Sequence, residues 1–194
     1  MIPIYIAFLW HLHQPVYWPG EDVMETQAAG HYGFSVTTVH LDRTGPYTAW
    51  PLDAVQAAMG AGLGSCGAQV SFSGSLMENL DAIEGAGAGF SGWESRWAGA
   101  APWRTGLGNP RVDLVNIGYF HPILPLIQPD DAVLQVELHG LAVEGHFPGA
   151  VPSRGLFPPE TGFSADIIPA LARAGIEWVL VDNVHFDRTL PGYP

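Results

Sequence analysis

The chain has 194 residues, enough to enclose one sizeable hydrophobic core. Hydrophobic residues make up 47% of the sequence and charged residues 13%, a balance that excludes extended disorder. The net charge is −12 and lysine is absent, so the surface repels phosphate backbones and anionic lipid; we therefore expect no nucleic-acid partner and no membrane partner.

The first predicted element is a buried strand over residues 2–10, a continuous apolar run. No basic residues precede the run, and it is too short to cross a bilayer, so a cytoplasmic location is expected. The run ends at the polar cluster His11-Leu12-His13-Gln14-Pro15. A loop rich in glycine and aromatic residues is predicted over residues 16–48.

Helices and short strands alternate through the rest of the chain. Apolar spacing predicts helices over 51–63, 75–83, 131–146 and 164–174, and extended segments over 66–72, 112–119, 153–159 and 176–181. This order predicts an α/β fold in which a parallel sheet is connected by right-handed crossovers. Polar side chains recur where the strands end, and active sites form at that edge of such sheets. These strand-end residues are His11 and His13, Ser73, His121, Glu160 and Asp182.

His11 and His13 are the first candidate site residues. Residues two apart in a strand face the same way, so both rings would enter one site. They could instead close hydrogen bonds beneath the proline turn, or share a zinc ion with a third ligand from Asp182, His185 or His121.

His121 and Glu160 follow two later strands. His121 is either a site residue or a capping histidine at a proline-containing turn. Glu160 ends the segment Phe157-Pro158-Pro159-Glu160, in which two prolines fix the backbone and hold the carboxylate in one place, as a nucleophile requires. The alternative for Glu160 is a structural ion pair with Arg154 or Arg173.

Three segments in this order resemble glycoside hydrolase family 57. They are His13-Gln14-Pro15, the turn through His121-Pro122, and Phe157-Pro158-Pro159-Glu160. The flanking residues 46–51, 175–178 and 182–185 also look like that family. The resemblance covers nearly the whole chain.

The resemblance implies a parallel (β/α)7-type barrel, here incomplete with about five strands, and a single domain over residues 1–194 that is truncated at its C-terminus. It implies an α-glucan-active enzyme that retains anomeric configuration, either an amylase-like hydrolase or a 4-α-glucanotransferase or branching-type enzyme. Its substrate would be an α-glucan or maltooligosaccharide, with Glu160 as nucleophile and no metal or cofactor. The implied substrate-binding residues are His11, His13, Gln14, His121, Trp50, Asp182 and His185. Trp93, Trp97 and Trp103 are further candidates, with Trp50, for stacking on sugar rings.

The second carboxyl group of a retaining mechanism is not matched in this sequence. Such enzymes need an acid/base about 5–5.5 Å from the nucleophile, and the family's aspartate is expected beyond Pro194. Asp182 and Asp187 are the nearest substitutes. We therefore expect little turnover by this chain alone, and the missing half of the barrel would be its partner. Two alternatives stay open: a zinc-dependent deacetylase- or mannosidase-like hydrolase, and an inactive carbohydrate-binding relative.

Overall fold

The computed structural model describes residues 6–185, and its strands all run parallel. Within these residues there are five strands: β1 Leu9–Leu12, β2 Ala68–Phe72, β3 Val112–Leu114, β4 Gly155–Leu156 and β5 Trp178–Val179. β1, β2 and β3 pair in that order, and β4 pairs with β5. A parallel bridge between Asn116 and Leu156 joins the two groups. The predicted parallel α/β arrangement is confirmed, although the last three strands are shorter than the apolar runs suggested.

The helices predicted from apolar spacing are present with small shifts at their ends. They are α4 Trp50–Gly60, α5 Gly74–Gly85, α7 Pro129–His146 and α8 Ile168–Arg173, and α6 Ser95–Ala100 adds a short helix. The last predicted helix begins as a 3-10 turn, Ala165–Ile167, capped by the hydroxyl of Ser164. In the described part of the chain, no helix has both the length and the apolar character that crossing a bilayer requires.

The predicted loop over residues 16–48 is wrong, because three short helices occupy it. They are α1 Val23–Ala29, α2 Val36–Leu41 and α3 Thr44–Thr48. Asp22 and Glu25 form a reciprocal capping box at the start of α1, and the hydroxyl of Ser35 caps α2.

The first strand begins later than predicted and extends into the polar residues that follow the apolar run. Residues 2–5 of that strand lie outside the described residues, and residues 6–8 are not in a strand. β1 instead includes His11 and Leu12. The start of the polar cluster therefore lies within the sheet, where strand pairing fixes the direction in which His11 points.

The largest core cluster packs helices against one face of the sheet. Trp93 and Trp97 are 2% and 3% exposed and contact Phe72 of β2 and Phe147. On the opposite face, a smaller cluster surrounds Val115, Ile117 and Phe157, with Leu9 and Leu180 against it. Alternation along β1 therefore directs Trp10 and Leu12 toward the helices and Leu9 and His11 toward the second face.

The side chain of Asn116 ties the two groups of strands together. Its amide nitrogen donates to the carbonyl oxygens of Ser153, at 2.8 Å, and Gly155, at 3.1 Å. Its backbone N–H also donates to Gly155, and its carbonyl accepts from Phe157. A buried amide that satisfies carbonyls in this way holds β4 against the end of β3.

Replacing Asn116 with alanine should lower the free energy of unfolding by about 1–3 kcal/mol, because buried hydrogen bonds are lost and their acceptors stay buried. Urea denaturation followed by far-UV circular dichroism measures the change. Asn109→Ala, in an exposed loop, is the matched control and should change stability by less than about 0.5 kcal/mol. Equal stability of the two variants would contradict the structural role of Asn116.

The fully buried His139 should make stability depend on pH. Its Nε2 donates to the carbonyl oxygen of Phe72 at 2.8 Å, and burial lowers the pKa of its ring from 6.5 to about 4. Between these two values the unfolded chain binds a proton that the folded chain does not. The free energy of unfolding should therefore fall as pH falls from about 6.5 to 4, by up to about 3 kcal/mol from this residue.

Urea titrations at several pH values test this effect. His139→Gln keeps an N–H donor for Phe72 but removes the titrating group, so its stability should decrease less between pH 7 and pH 4.5. A variant whose stability changes with pH as steeply as the wild type would show that His139 is not the cause.

Candidate active site

Three histidines meet at the carboxyl end of β1. His11 and His13 point to the same side, as predicted, with ring centroids 6.1 Å apart. The ring of His121 stacks on His13 at 3.9 Å and lies 5.1 Å from His11. Nε2 of His121 is 3.1 Å from Nε2 of His11. Residues 110 positions apart in the sequence thus form one cluster.

A tight turn directs His121 back over the sheet edge. Its backbone has φ 58°, in the left-handed region that non-glycine residues seldom adopt. The N–H of His121 donates to the carbonyl oxygen of Gly118 at 2.8 Å. A side chain at Gly118 would lie 2.6 Å from the ring of Pro122, so the turn closes only because residue 118 is glycine.

Glu160 sits on a strained turn after β4. Its φ and ψ are 55° and 24°, and Thr161 has φ 53°. The carbonyl oxygen of Pro158 accepts the N–H of Thr161 at 2.9 Å, and that of Pro159 accepts the N–H of Gly162 at 3.0 Å. Left-handed non-glycine residues cost on the order of 1–3 kcal/mol each and concentrate at functional sites. The prolines and turn hydrogen bonds hold the carboxylate in this geometry.

The Glu160 carboxylate lies close enough to the histidines to act on their charge. Its negative charge raises the pKa of His11 and of His121. Partial burial has the larger, opposite effect and, with repulsion from His121, lowers the pKa of His11 to about 4. Burial and repulsion from His121 and His11 lower the pKa of His13 to about 3, and burial lowers that of His121. All three rings are neutral at pH 7.

Glu160 forms no ion pair within residues 6–185. Arg154 pairs with Glu177 at 2.8 Å, and Arg173 pairs with Asp130 at 2.7 Å. The structural ion pair considered for Glu160 is therefore wrong. The carboxylate of Glu160 is exposed and is available to a ligand.

Buried polar residues support the cluster from behind. Oγ of Ser71 is 2.9 Å from Nδ1 of His11, and Oγ of Ser73 is 2.8 Å from Nδ1 of His13. The Gln14 side chain donates to the hydroxyl of Tyr47 at 3.0 Å and accepts from that of Tyr17 at 2.6 Å. Sequence reasoning noticed Ser73 as a strand-end residue but missed Ser71 and Tyr47. The i, i+2 spacing of Ser71 and Ser73, matching that of the histidines, was the available signal.

The tryptophans proposed for sugar stacking do not meet the cluster. Trp93 and Trp97 are buried in the core, and Trp103 packs against the same core, so this part of the prediction is wrong. The ring of Trp50 is 57% exposed and lies over Gly45.

Asp182 and His185 lie beyond β5. The Asp182 carboxylate accepts the backbone N–H of Val184 at 2.9 Å and is exposed. The His185 ring meets Phe163 edge-on, with centroids 5.7 Å apart. Both residues are at the end of the fifth strand, where the sequence predicted a polar cluster.

The zinc hypothesis has no ligand set in the described residues. No group of three or more histidine, cysteine, aspartate or glutamate side chains is arranged to hold a metal ion between residues 6 and 185. Nδ1 of His11 and Nδ1 of His13 face serine hydroxyls, and Nε2 of His11 faces another ring.

The chain is similar to several known proteins. It is 33% identical over 163 residues to an alpha-amylase of Niallia circulans, which covers 80% of this chain and 13% of that protein. Its fold matches a 4-alpha-glucanotransferase from Thermococcus litoralis with TM-score 0.62 and 19% identity, over 97% of this chain and 23% of that one. It also matches a branching enzyme from Pyrococcus horikoshii with TM-score 0.59 and 18% identity, over 95% and 42% of the two chains.

The chain therefore spans about an eighth of the length of the curated relative that it matches over most of its own sequence. The profile of glycosyl hydrolase family 57 matches residues 7–193, almost the whole sequence. This chain belongs to glycosyl hydrolase family 57.

Proposed function

We propose that this chain is an α-glucan-active retaining enzyme, or a part of one, in which Glu160 is the nucleophile. The activity would be that of a glycoside hydrolase or of a 4-α-glucanotransferase or branching-type enzyme, since the relatives bear the names alpha-amylase, 4-alpha-glucanotransferase and branching enzyme. The observation that carries the proposal is an unpaired carboxylate on a rigid turn beside three neutral imidazoles.

The arrangement suits the first step of a retaining reaction. Glu160 attacks the anomeric carbon and forms a carboxylate–sugar ester, while the bond to the leaving oxygen breaks with its electron pair going to that oxygen, which the acid/base of the proposed complete barrel would protonate. The transition state carries positive charge on the sugar ring, so protonated histidines nearby would oppose it. Because His11, His13 and His121 are neutral, they can hold sugar hydroxyls without this repulsion.

We infer that residues 1–194 form one domain whose parallel strands are part of a (β/α)7-type barrel. The substrate is an α-glucan or maltooligosaccharide, and its hydroxyls contact the three histidines. Trp50, Asp182 and His185 are proposed to bind further sugar units of the same substrate. Gln14, whose amide binds two tyrosines, contributes by holding the loop after β1.

Covalent labelling of Glu160 tests the proposal without requiring an acid catalyst. In an α-maltosyl fluoride with a second fluorine at C5, fluoride departs from C1 with the bonding electrons while Glu160 forms the ester, and the C5 fluorine slows its hydrolysis. Intact-mass spectrometry should show one added fluoromaltosyl group, a disaccharide, and peptide mapping should locate it at Glu160. Glu160→Gln should lower the labelling rate by roughly 10³-fold or more.

Glu137→Gln is the matched control, since Glu137 is an exposed glutamate on α7. It should be labelled like the wild type. Labelling at another carboxylate, or undiminished labelling of Glu160→Gln, would overturn the assignment of the nucleophile.

A further inference from the structure

Three buried serines line the back of the histidine cluster. Ser71, Ser73 and Ser75 are each at most 1% exposed, although serine is mostly a surface residue. The register of β1 and β2 sets Ser71 beside His11. We propose that these serines are positioning residues that hold His11 and His13 in opposite tautomers, so that His13 offers the pocket a hydrogen-bond acceptor and His11 offers a donor.

The directions of the hydrogen bonds behind His13 follow from the last acceptor in the series, the backbone carbonyl oxygen of Gln14. Oγ of Ser75 lies 2.6 Å from the carbonyl oxygen of Gln14, which can only accept, so Ser75 donates its single proton there. Ser75 can then only accept from Ser73, whose Oγ is 3.2 Å away. In the arrangement that makes all of these contacts hydrogen bonds, Ser73 donates to Ser75 and has no proton left for the ring of His13.

Ser73 therefore accepts from His13. Its Oγ already accepts the backbone N–H of Leu76 at 3.2 Å, where it caps α5. Its second lone pair accepts a hydrogen bond from the N–H at Nδ1 of His13, 2.8 Å away. Every polar group in this series of hydrogen bonds is then satisfied. A neutral imidazole has one N–H, which leaves Nε2 of His13 unprotonated on the opposite edge of the ring.

Ser71 and His121 together give His11 the other tautomer. The backbone carbonyl of His121 raises the pKa of its own ring, as an acceptor beside a ring N–H does. Since Nε2 of His121 faces Nε2 of His11, we assign that N–H to Nδ1. Nε2 of His121 is then an acceptor, and Nε2 of His11, 3.1 Å away, must donate to it. Nδ1 of His11 is unprotonated and accepts the hydroxyl of Ser71 at 2.9 Å.

Opposite tautomers match a pair of neighbouring hydroxyls on one sugar ring. Nε2 of His13 can accept a hydrogen bond from one hydroxyl, while the N–H at Nε2 of His11 can be shared between His121 and the oxygen of the next hydroxyl. When one of two neighbouring hydroxyls donates to the other, the pair presents one free O–H and one free acceptor oxygen, and opposite tautomers complement that pair. This consequence rests on the proposed function, whereas the tautomers themselves do not.

Long-range ¹H–¹⁵N spectra of the imidazole rings in the ¹⁵N-labelled 194-residue protein test the tautomers at pH 7. We expect a protonated Nδ1 and an unprotonated Nε2 for His13, and the reverse for His11, with ring signals assigned by His11→Gln and His13→Gln. The measurement needs no serine variant that could fail to fold. The same tautomer in both rings, or averaged signals as in free imidazole, would overturn the proposal.

Serine variants then test the cause. Ser73→Ala should move the His13 signals toward a mixture of tautomers and leave His11 unchanged, and Ser73→Thr, which keeps the hydroxyl and the helix cap, should restore the wild-type pattern. Ser71→Ala should act on His11 alone. Ser91→Ala, at an exposed serine, is the control and should move neither ring. Circular dichroism checks that each variant is folded, and unchanged tautomers in folded Ser71→Ala and Ser73→Ala would contradict the positioning role.

The two proposals can be disproved independently of each other. Covalent labelling of Glu160 in a protein whose two rings share one tautomer would overturn the serine inference and leave the proposed function standing. Opposite tautomers in a protein that is never labelled would support the inference about the serines and count against the nucleophile.

Discussion

The parallel pairing of β1 with β2 is the constraint on which the site depends. The ladder aligns His11 with Ser71 and Leu12 with Phe72, so histidines and serines share one face while apolar partners share the other. A shift by one residue would exchange the two faces, placing imidazoles in the core and Leu12 and Phe72 in the pocket. The packing of Phe72 against Trp97 therefore secures the register of the polar face as well as the core.

Around Glu160, burial lowers the pKa values of the histidines and the charge of the carboxylate raises them, and the effect of burial is larger. The carboxylate favours protonation of His11 and His121, yet partial desolvation keeps their pKa values low. A protonated imidazole at this position would form an ion pair with Glu160 and reduce its nucleophilicity. Keeping the rings neutral leaves the carboxylate as an unpaired charge, and the prolines and turn hydrogen bonds keep the strained backbone at Glu160 and Thr161 from relaxing.

Much of this arrangement was predictable from local sequence patterns. Apolar spacing located α4, α5 and α7, and the polar residues after each apolar run located the histidines and Glu160. The helices between residues 16 and 48 were missed because glycine and aromatic content outweighed a single capping box at Asp22 and Glu25. The left-handed backbone of His121 and Glu160 has no signature in residue type, since tertiary contacts impose it on residues that do not favour it.

The tryptophans illustrate why residue type alone misassigns a role. Trp97 was expected to contact a sugar, but its indole N–H donates to the carbonyl oxygen of Tyr47 at 2.8 Å inside the core. The hydroxyl of Tyr47 in turn accepts the amide of Gln14, which begins the loop after β1. The backbone carbonyl of Gln14 is also the acceptor at which the hydrogen bonds of Ser75 end. The aromatic core therefore influences the site indirectly, because it fixes the backbone from which the histidine tautomers are set.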